Sequence, residues 1–371
     1  MALVCVNPPI VEPVSLSELK DYLRLDQDDT SQDGVLTSLN MAARSWCETI
    51  SRRKFVQQTW AFYADFFPGY IDTKLTGQMF SSPFVSGANA VLVGIRYAVL
   101  LPFPPIQSLN SFVYQNANGQ VTSMILGPTT ISSVSNPLGN PVSVVTAAPH
   151  GLQSGATATL AGNAALLAVL ANQVTQVITV VDPYTLQFNG SIGTGSAIAG
   201  GGTITGYNFV QDLLSEPPRL TPIFGQVWPV ARVVVNAIQL NFTVGYAVPL
   251  TGVTTTVGNA ALGGYTSFTA SNVGQPISIP GAGDNGGALN TIIASVNNGV
   301  GSVRDQPSNP VQNATALLVS HGKPAHWEAI KLAIKFLVNA WFVNRMPNLD
   351  PKSDALMAAR RQLGMAIDLR V

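Results

Sequence analysis

The sequence predicts an α+β protein in which two all-β segments interrupt a single host domain. Charge is distributed unevenly, because two long blocks, 129–208 and 250–321, are almost uncharged in a chain with 19 basic and 19 acidic residues. The charged residues inside them are Asp182, Asp284, Arg304 and Asp305. Helical periodicity is confined to the chain ends, and strand-like runs lie between them. Loops tolerate inserted segments of this kind, since closure entropy grows slowly with loop length.

Two helices are predicted near the N-terminus. Ser15 and Glu18 have the spacing of a capping box and open a leucine-rich helix. A second helix is predicted from Ser31 to the basic stretch 51–54, whose charges suit a helix C-terminus in solvent better than a phosphate contact. The acidic residues between the helices lack the glycine and glutamate of a calcium loop, and we interpret them as a solvated loop. They are Asp26, Asp28, Asp29 and Asp33.

Strands are predicted next at 55–67, 90–102 and 106–126, and Asn118-Gly119 indicates a hairpin in the last of these. The segment 231–247 is interpreted as a strand pair or one long bent strand. Inside the uncharged blocks, turn residues punctuate short Val/Thr-rich runs, as in small all-β domains. The exception in the first block is 164–172, which fits a helical turn or a buried loop.

The strongest helical pattern begins near Pro324, which suits a first turn, and ends before Pro347. Its apolar residues recur every three or four positions, which predicts a buried face: Trp327, Ile330, Ile334, Leu337 and Trp341. A shorter helix is predicted after Ser353, a suitable N-cap. From 322 to 371 the chain carries eight basic and four acidic residues.

No pattern of catalytic or ligand residues stands out. The two cysteines, Cys5 and Cys47, are expected to be reduced thiols, and no histidine has a partner at metal-ligand spacing. The glycines of 281–287 lack the Lys and Ser/Thr of a phosphate-binding loop. We therefore expect a protein that is not an enzyme and has no cofactor or metal, although a carboxylate pair distant in sequence stays open. No apolar run is long enough to span a membrane.

The remaining segments resemble, in order, the bacteriophage head–tail connector (adaptor) family. The resemblance is carried by 14–68 (VSLSELKDYLRLDQDD…QQTWAFYADFFP), 101–120 (LPFPPIQSLNSFVYQNANGQ), 217–249 (PPRLTPIFGQVWPVAR…FTVGYAVP) and 327–345 (WEAIKLAIKFLVNAWFVNR). It implies a helical connector core with a β-sheet portion. That core would comprise 1–128, 207–250 and 322–371.

Both predicted insertions depart from the family pattern. The first, 129–206, resembles a small β-barrel that occurs on phage proteins and in ubiquitin-activating enzymes. The second, 251–321, resembles a β module near the start of phage tail-spike proteins. If these are insertions, Tyr207 should fold back to Gly127 and Lys323 to Val248.

The resemblance further implies a structural virion protein: a ring of about twelve copies that docks under the portal protein and extends the DNA channel. A next neck or tail protein would bind below it, and assembly would take place in the host bacterial cytoplasm. By position within the family, the candidate portal contacts are Leu356, Met357, Arg360, Arg361, Leu363 and Arg370. The alternative is a carbohydrate-binding adhesin or tail-spike component, which the β modules and low charge favour.

Overall fold

The computed structural model describes residues 2–68, 98–213, 215, 217–319, 324–344 and 354–366. The chain folds into two compact units. The first unit consists of Met1–Val4, Trp60–Leu101 and Ser108–Phe242, and the second of Cys5–Thr59, Pro102–Gln107 and Thr243–Val371. Each unit contains a closed barrel of six strands.

The described residues form five α-helices and twenty strands. The helices are α1 (Leu16–Leu23), α2 (Asp33–Ser51), α3 (Ala164–Val169), α4 (Pro324–Asn344) and α5 (Asp354–Ala366). The first ten strands are β1 (Ala2–Asn7), β2 (Gln58–Ala64), β3 (Val99–Leu100), β4 (Ile106–Gln115), β5 (Val121–Ser123), β6 (Ile125–Ser135), β7 (Ser143–Thr146), β8 (Thr157–Ala161), β9 (Thr175–Val180) and β10 (Thr185–Phe188). The others are β11 (Thr203–Tyr207), β12 (Val210–Asp212), β13 (Arg219–Thr221), β14 (Ile238–Val244), β15 (Ala247–Thr256), β16 (Asn259–Gly263), β17 (Pro276–Ile279), β18 (Leu289–Asn297), β19 (Val300–Val303) and β20 (Val311–Val319).

The expected helical connector core is wrong, because the fold is mostly β, with 38% strand and 21% helix. Four of the five helices lie where the sequence has strong helical periodicity, near the chain ends. Where the structure describes the segments between them, which the family resemblance assigned to the same core, they form strands and irregular backbone instead. The predicted domain limits stay predictions.

The first barrel closes in the order β10-β7-β6-β11-β8-β9, and all neighbours are antiparallel. Side chains alternate between buried and partly exposed along β7, β8, β10 and β11, which is the period of a strand with one buried face. The inward side chains include Val144, Leu160, Leu186, Phe188 and Ile204. The two ends of this segment meet, because Tyr207 pairs with Ile125 beside Gly127.

Helix α3 lies in the first barrel, and so 164–172 contains a short helix. The Oδ1 atom of Asn163 caps it by accepting the N–H of Leu166 at 3.0 Å. The side chain of Leu166 is fully buried in the barrel core. The first unit also holds an aromatic cluster next to the hairpin of β4 and β5, in which Phe67 stacks on Trp228 at 5.0 Å.

The predicted hairpin is confirmed. The Oδ1 atom of Asn116 accepts the N–H groups of Asn118 and Gln120, and Gly119 takes a positive φ of 81°. Strands β1, β2, β14, β4 and β5 form a five-stranded sheet in that order, and β12, β13 and β3 form a smaller one. The prediction for 231–247 is wrong in its first half, where β14 begins only at Ile238.

The second barrel closes in the order β15-β16-β19-β18-β17-β20, again antiparallel throughout. Its ends are adjacent too, because Val248 pairs with Leu318 and Ala247 with Val319. Lys323, used in the prediction, lies outside the described residues. The apolar core of this barrel includes Val253, Leu262, Ile279 and Ile293.

A separate core in the second unit is built from helices α1, α2, α4 and α5. The capping box predicted for α1 is confirmed: the Ser15 hydroxyl accepts the N–H of Glu18 at 3.2 Å, and the Glu18 carboxylate accepts that of Ser15 at 3.3 Å. Helix α2 begins at Asp33 rather than Ser31. The predicted stripe of α4 is buried in this core, which explains its spacing.

Candidate docking surface on the C-terminal helix

Helix α5 carries all but one of the predicted portal contacts. Leu356 and Leu363 are buried in the helical core together with Ala359, at the three- and four-residue spacing of one helix face. The structure therefore assigns these two leucines to packing within the chain. The remaining predicted residue, Arg370, lies outside the described residues.

The other face of α5 is open to solvent. Met357 is 50% exposed, and Arg360 and Arg361 are exposed as well. The Arg360 guanidinium lies 5.9 Å from the ring centre of Trp46 on α2, a cation–π distance that orients this side chain. Met357 and the two arginines thus form an outward surface, here called the α5 surface, on a helix whose position is set by its buried face.

A buried ion cluster links α1, α4 and β18 in the second unit. The Glu18 carboxylate lies 2.7 Å from the Lys331 ammonium and 3.3 Å from that of Lys335. Asn290 completes the cluster: its amide donates to Glu18 at 3.1 Å, and its carbonyl accepts from Lys331 at 2.9 Å. Burial alone would raise the pKa of Glu18, but the two ammonium groups offset it and hold that pKa below its ordinary value.

A second buried carboxylate joins the end of α2 to β2. Glu48 accepts the N–H of Phe55 at 3.1 Å and the amide of Gln58 at 3.0 Å. It also binds the Lys54 ammonium at 3.0 Å and the Arg44 guanidinium at 3.2 Å. Four donors therefore compensate the cost of burying this charge.

The basic stretch 51–54 does not behave as a set of solvated helix-end charges, as the sequence predicted. Lys54 is held by Glu48, and Arg53 donates to the Tyr246 hydroxyl at 2.8 Å. Tyr246 lies 193 positions from Arg53 in the sequence, beyond the reach of a local pattern. Arg52 is exposed and takes the left-handed conformation that ends α2.

The acidic loop between α1 and α2 is organised by a lysine rather than simply solvated. Lys20 is only 4% exposed, and its ammonium donates to the backbone carbonyls of Gln27 at 3.0 Å and Asp29 at 2.9 Å. It also lies 2.7 Å from the Asp33 carboxylate. The loop therefore has a structural role in positioning the start of α2.

His150 and the two cysteines occupy structural positions. His150 is buried in the first barrel, where Nδ1 accepts the N–H of Leu152 at 3.0 Å and Nε2 lies 2.8 Å from the Asp182 carbonyl. This arrangement requires the neutral ring with its proton on Nε2. Cys5 and Cys47 are free, and burial raises the pKa of both thiols.

In the part of the chain that the structure describes, no three histidine, cysteine or acidic side chains cluster as metal ligands would. Among the described helices, none combines the length and apolar character needed to cross a membrane.

Comparison with known proteins gives a structural likeness and no likeness in sequence. No protein-family model matches the chain, and no curated protein sequence does. A solved structure titled "Neck of empty GTA particle computed with C6 symmetry" is similar with a TM-score of 0.39 and 10% identity, over 98% of this chain and 95% of that one. A likeness at this level carries no argument about function.

Sequence reasoning missed one surface feature, the segment 222–237 in the first unit. Its run of valines predicted strands, but Val233 and Val235 are 72% and 80% exposed and lie outside any strand. The sequence does contain a sign that this segment is not a strand. Its prolines, Gly225 and consecutive valines interrupt the alternation of apolar and polar residues that a half-buried strand shows.

Proposed function

We propose that this chain is a structural virion protein of a tailed bacteriophage, a head–tail connector (adaptor) in the neck. In this proposal it forms a ring of about twelve copies, docks under the portal protein and links the capsid to the tail. The observation that supports it most is the α5 surface, since a terminal helix anchored by one face presents Met357, Arg360 and Arg361 on the other.

An anchored helix suits a docking role for an energetic reason. Leu356 and Leu363 already hold α5 against the helical core, so little conformational entropy remains to be lost when a partner binds. The arginines offer planar, bidentate donors for carboxylates of the partner. The ordered resemblance of the other segments to the adaptor family supports the same role.

The barrels would be appendages on this ring. In the first barrel, the N–H of Asn208 donates to the carbonyl of Met124 at 2.9 Å, so the chain enters and leaves the barrel at one place. We expect that deleting 129–206 leaves portal docking intact and changes neck stability or contacts with neighbouring proteins. Loss of portal docking in a folded deletion variant would contradict the role of the barrel as an appendage.

The ring would extend the channel through which genomic DNA passes. Phosphate binding increases with the number of cations engaged, and this chain has only 19 basic residues, several of them held in ion pairs. We therefore expect a weakly charged lumen that does not retain DNA. A ring structure with a dense band of Lys and Arg along its channel would contradict this part of the proposal.

The docking experiment is a binding assay between the full chain and the portal protein of the same phage. The test variant is Arg360→Glu/Arg361→Glu, which reverses both exposed charges of the α5 surface. We expect its affinity for the portal to fall by more than about tenfold, which corresponds to 1.4 kcal/mol. Arg304→Glu is the control, because Arg304 is an exposed arginine that follows β19 of the second barrel and is not part of the α5 surface.

Equal loss of binding in the control would indicate a general charge effect, and unchanged binding in the test variant would overturn the docking role of α5. Electron microscopy of labelled virions gives the independent readout. We expect the protein in the neck, below the capsid. A position at the distal end of the tail would contradict the connector and favour the carbohydrate-binding adhesin.

A further inference from the structure

The segment 222–237, here called the apolar loop, exposes five large apolar side chains. The exposed fractions are 100% for Phe224, 77% for Val227, 63% for Val230, 72% for Val233 and 80% for Val235. Arg232 is the one charged residue in this sequence segment. Single exposed valines need no explanation, but five large apolar side chains exposed within one short segment are typical of an interaction site.

The loop is nevertheless held in place. Ile223 is buried in the core of the first barrel, and Trp228 is buried in the aromatic cluster against Phe67. Ala231 and Ala237 are also buried. Each apolar side chain that points outward is therefore next to, or within two residues of, one that anchors the loop.

Backbone hydrogen bonds fix the same segment. The N–H of Arg232 donates to the carbonyl of Gln115 at 2.9 Å. The N–H of Gln115 donates in turn to the carbonyl of Ala237 at 2.8 Å. The N–H of Asn236 donates to the Asp65 carboxylate at 2.8 Å. A surface ordered in advance binds a partner at a lower entropic cost than a mobile loop.

The exposed area matches a complete protein interface. From their exposed fractions, the four valines and Phe224 offer about 500 Å² of apolar side-chain surface. A standard interface buries about 800 Å² per partner, of which about 60% is apolar, so the loop has enough apolar area for one side of such an interface.

We infer that the apolar loop binds a second copy of this chain, as the contact between neighbouring subunits of the ring. The inference rests on the proposed ring and adds the surface that closes it. Interfaces between identical subunits are more apolar than transient ones, and the loop has that composition. With a single cation, it is poorly suited to DNA or to an acidic partner.

The experiment measures the oligomeric state of the full chain by light scattering after size-exclusion chromatography, with and without portal protein, and images the particles by electron microscopy. The test variant is Phe224→Asp/Val233→Asp, at two highly exposed positions where the substitutions do not disturb the core. The expected result is dissociation, with the subunit dissociation constant raised by about 30-fold or more.

Leu138→Asp is the matched control, because Leu138 is 76% exposed on the first barrel of the same unit. We expect it to assemble as the unmodified chain does. Matching far-ultraviolet circular dichroism spectra of all three proteins would establish that the changes act on assembly rather than on folding.

Each outcome separates this inference from the proposed function. If the double variant still forms rings, the apolar loop is not the contact, while the ring stands. If the unmodified chain forms dimers that the double variant loses, the loop contact stands and the ring is contradicted. If the unmodified chain is monomeric under both conditions, the inference is overturned; loop-dependent flotation with lipid vesicles would then assign the surface to a membrane.

Discussion

Each of the two units contains a closed six-stranded barrel. The buried polar groups of the first barrel, however, are satisfied differently from those of the second unit. In the first barrel the principal polar anchors are amide side chains. Asn136 binds Thr194 and the carbonyl of Ser196, and Asn208 binds the N–H of Gln153 and the carbonyl of Gly151. Asp182 is the one charged residue of the 129–208 sequence, and it lies in a turn.

In the second unit the corresponding connections are made by charges. Glu18 forms ion pairs with Lys331 and Lys335 and accepts a hydrogen bond from Asn290. Glu48 forms ion pairs with Arg44 and Lys54. Amides satisfy buried groups without a desolvated charge, whereas a buried carboxylate is costly as soon as one of its partners is lost. A chain with few charged residues can therefore still depend on buried ion pairs for its stability.

The largest effect is expected from Glu18→Gln, which leaves Lys331 buried without its counter-ion. Removing one partner of a buried pair costs about 3–5 kcal/mol, and we expect a loss of that size in the free energy of unfolding. Urea denaturation measures it. Asp212→Asn in the first unit is the control, since its pair with Arg219 is exposed and is worth about 1 kcal/mol or less.

A smaller effect is expected from Gly200→Ala in the first barrel. A Cβ atom at Gly200 would meet the backbone carbonyl of Ser132, which cannot move without opening the barrel. We expect a loss of about 1–3 kcal/mol, the range for overpacking. Gly127→Ala on β6 is the matched control, because nothing lies within 4 Å of its Cβ position. Equal losses in the two variants would show that the backbone contact is not the cause.

Asn136→Ala should destabilise the first barrel by about 1–3 kcal/mol, because it leaves the N–H of Thr194 and the carbonyl of Ser196 without this partner. Hydrogen exchange at 193–196 measures the local opening. Unchanged exchange at these residues would show that the Asn136 amide does not stabilise the first barrel.

The smallest effect is the pH dependence that Glu18 gives to the stability of the second unit. Because the folded pKa of Glu18 lies below its ordinary value, its carboxylate stabilises the fold above that ordinary value, and this contribution is lost as the pH falls through the folded pKa. The stability difference between the unmodified chain and Glu18→Gln should therefore shrink in acid. A difference independent of pH would show that Glu18 does not act through its charge.

Local patterns predicted the local structures well. The capping box of α1, the buried stripe of α4 and the hairpin at Asn118-Gly119 all depend on residues a few positions apart. The candidate site was only partly accessible in this way. Periodicity separates the buried Leu356 and Leu363 from the exposed Met357 once the helix is known, but it does not say which face a core covers.

The helices, many of the turns and the two uncharged β segments follow from the sequence alone, because propensity, capping and periodicity act between near neighbours. The closure of both segments into barrels, the contact of Glu18 with Lys331 and the exposure of a run of valines to solvent follow only from the tertiary structure. These features join residues far apart in the chain. Their free energies depend on chain closure and on what each face finally packs against, which no local pattern contains.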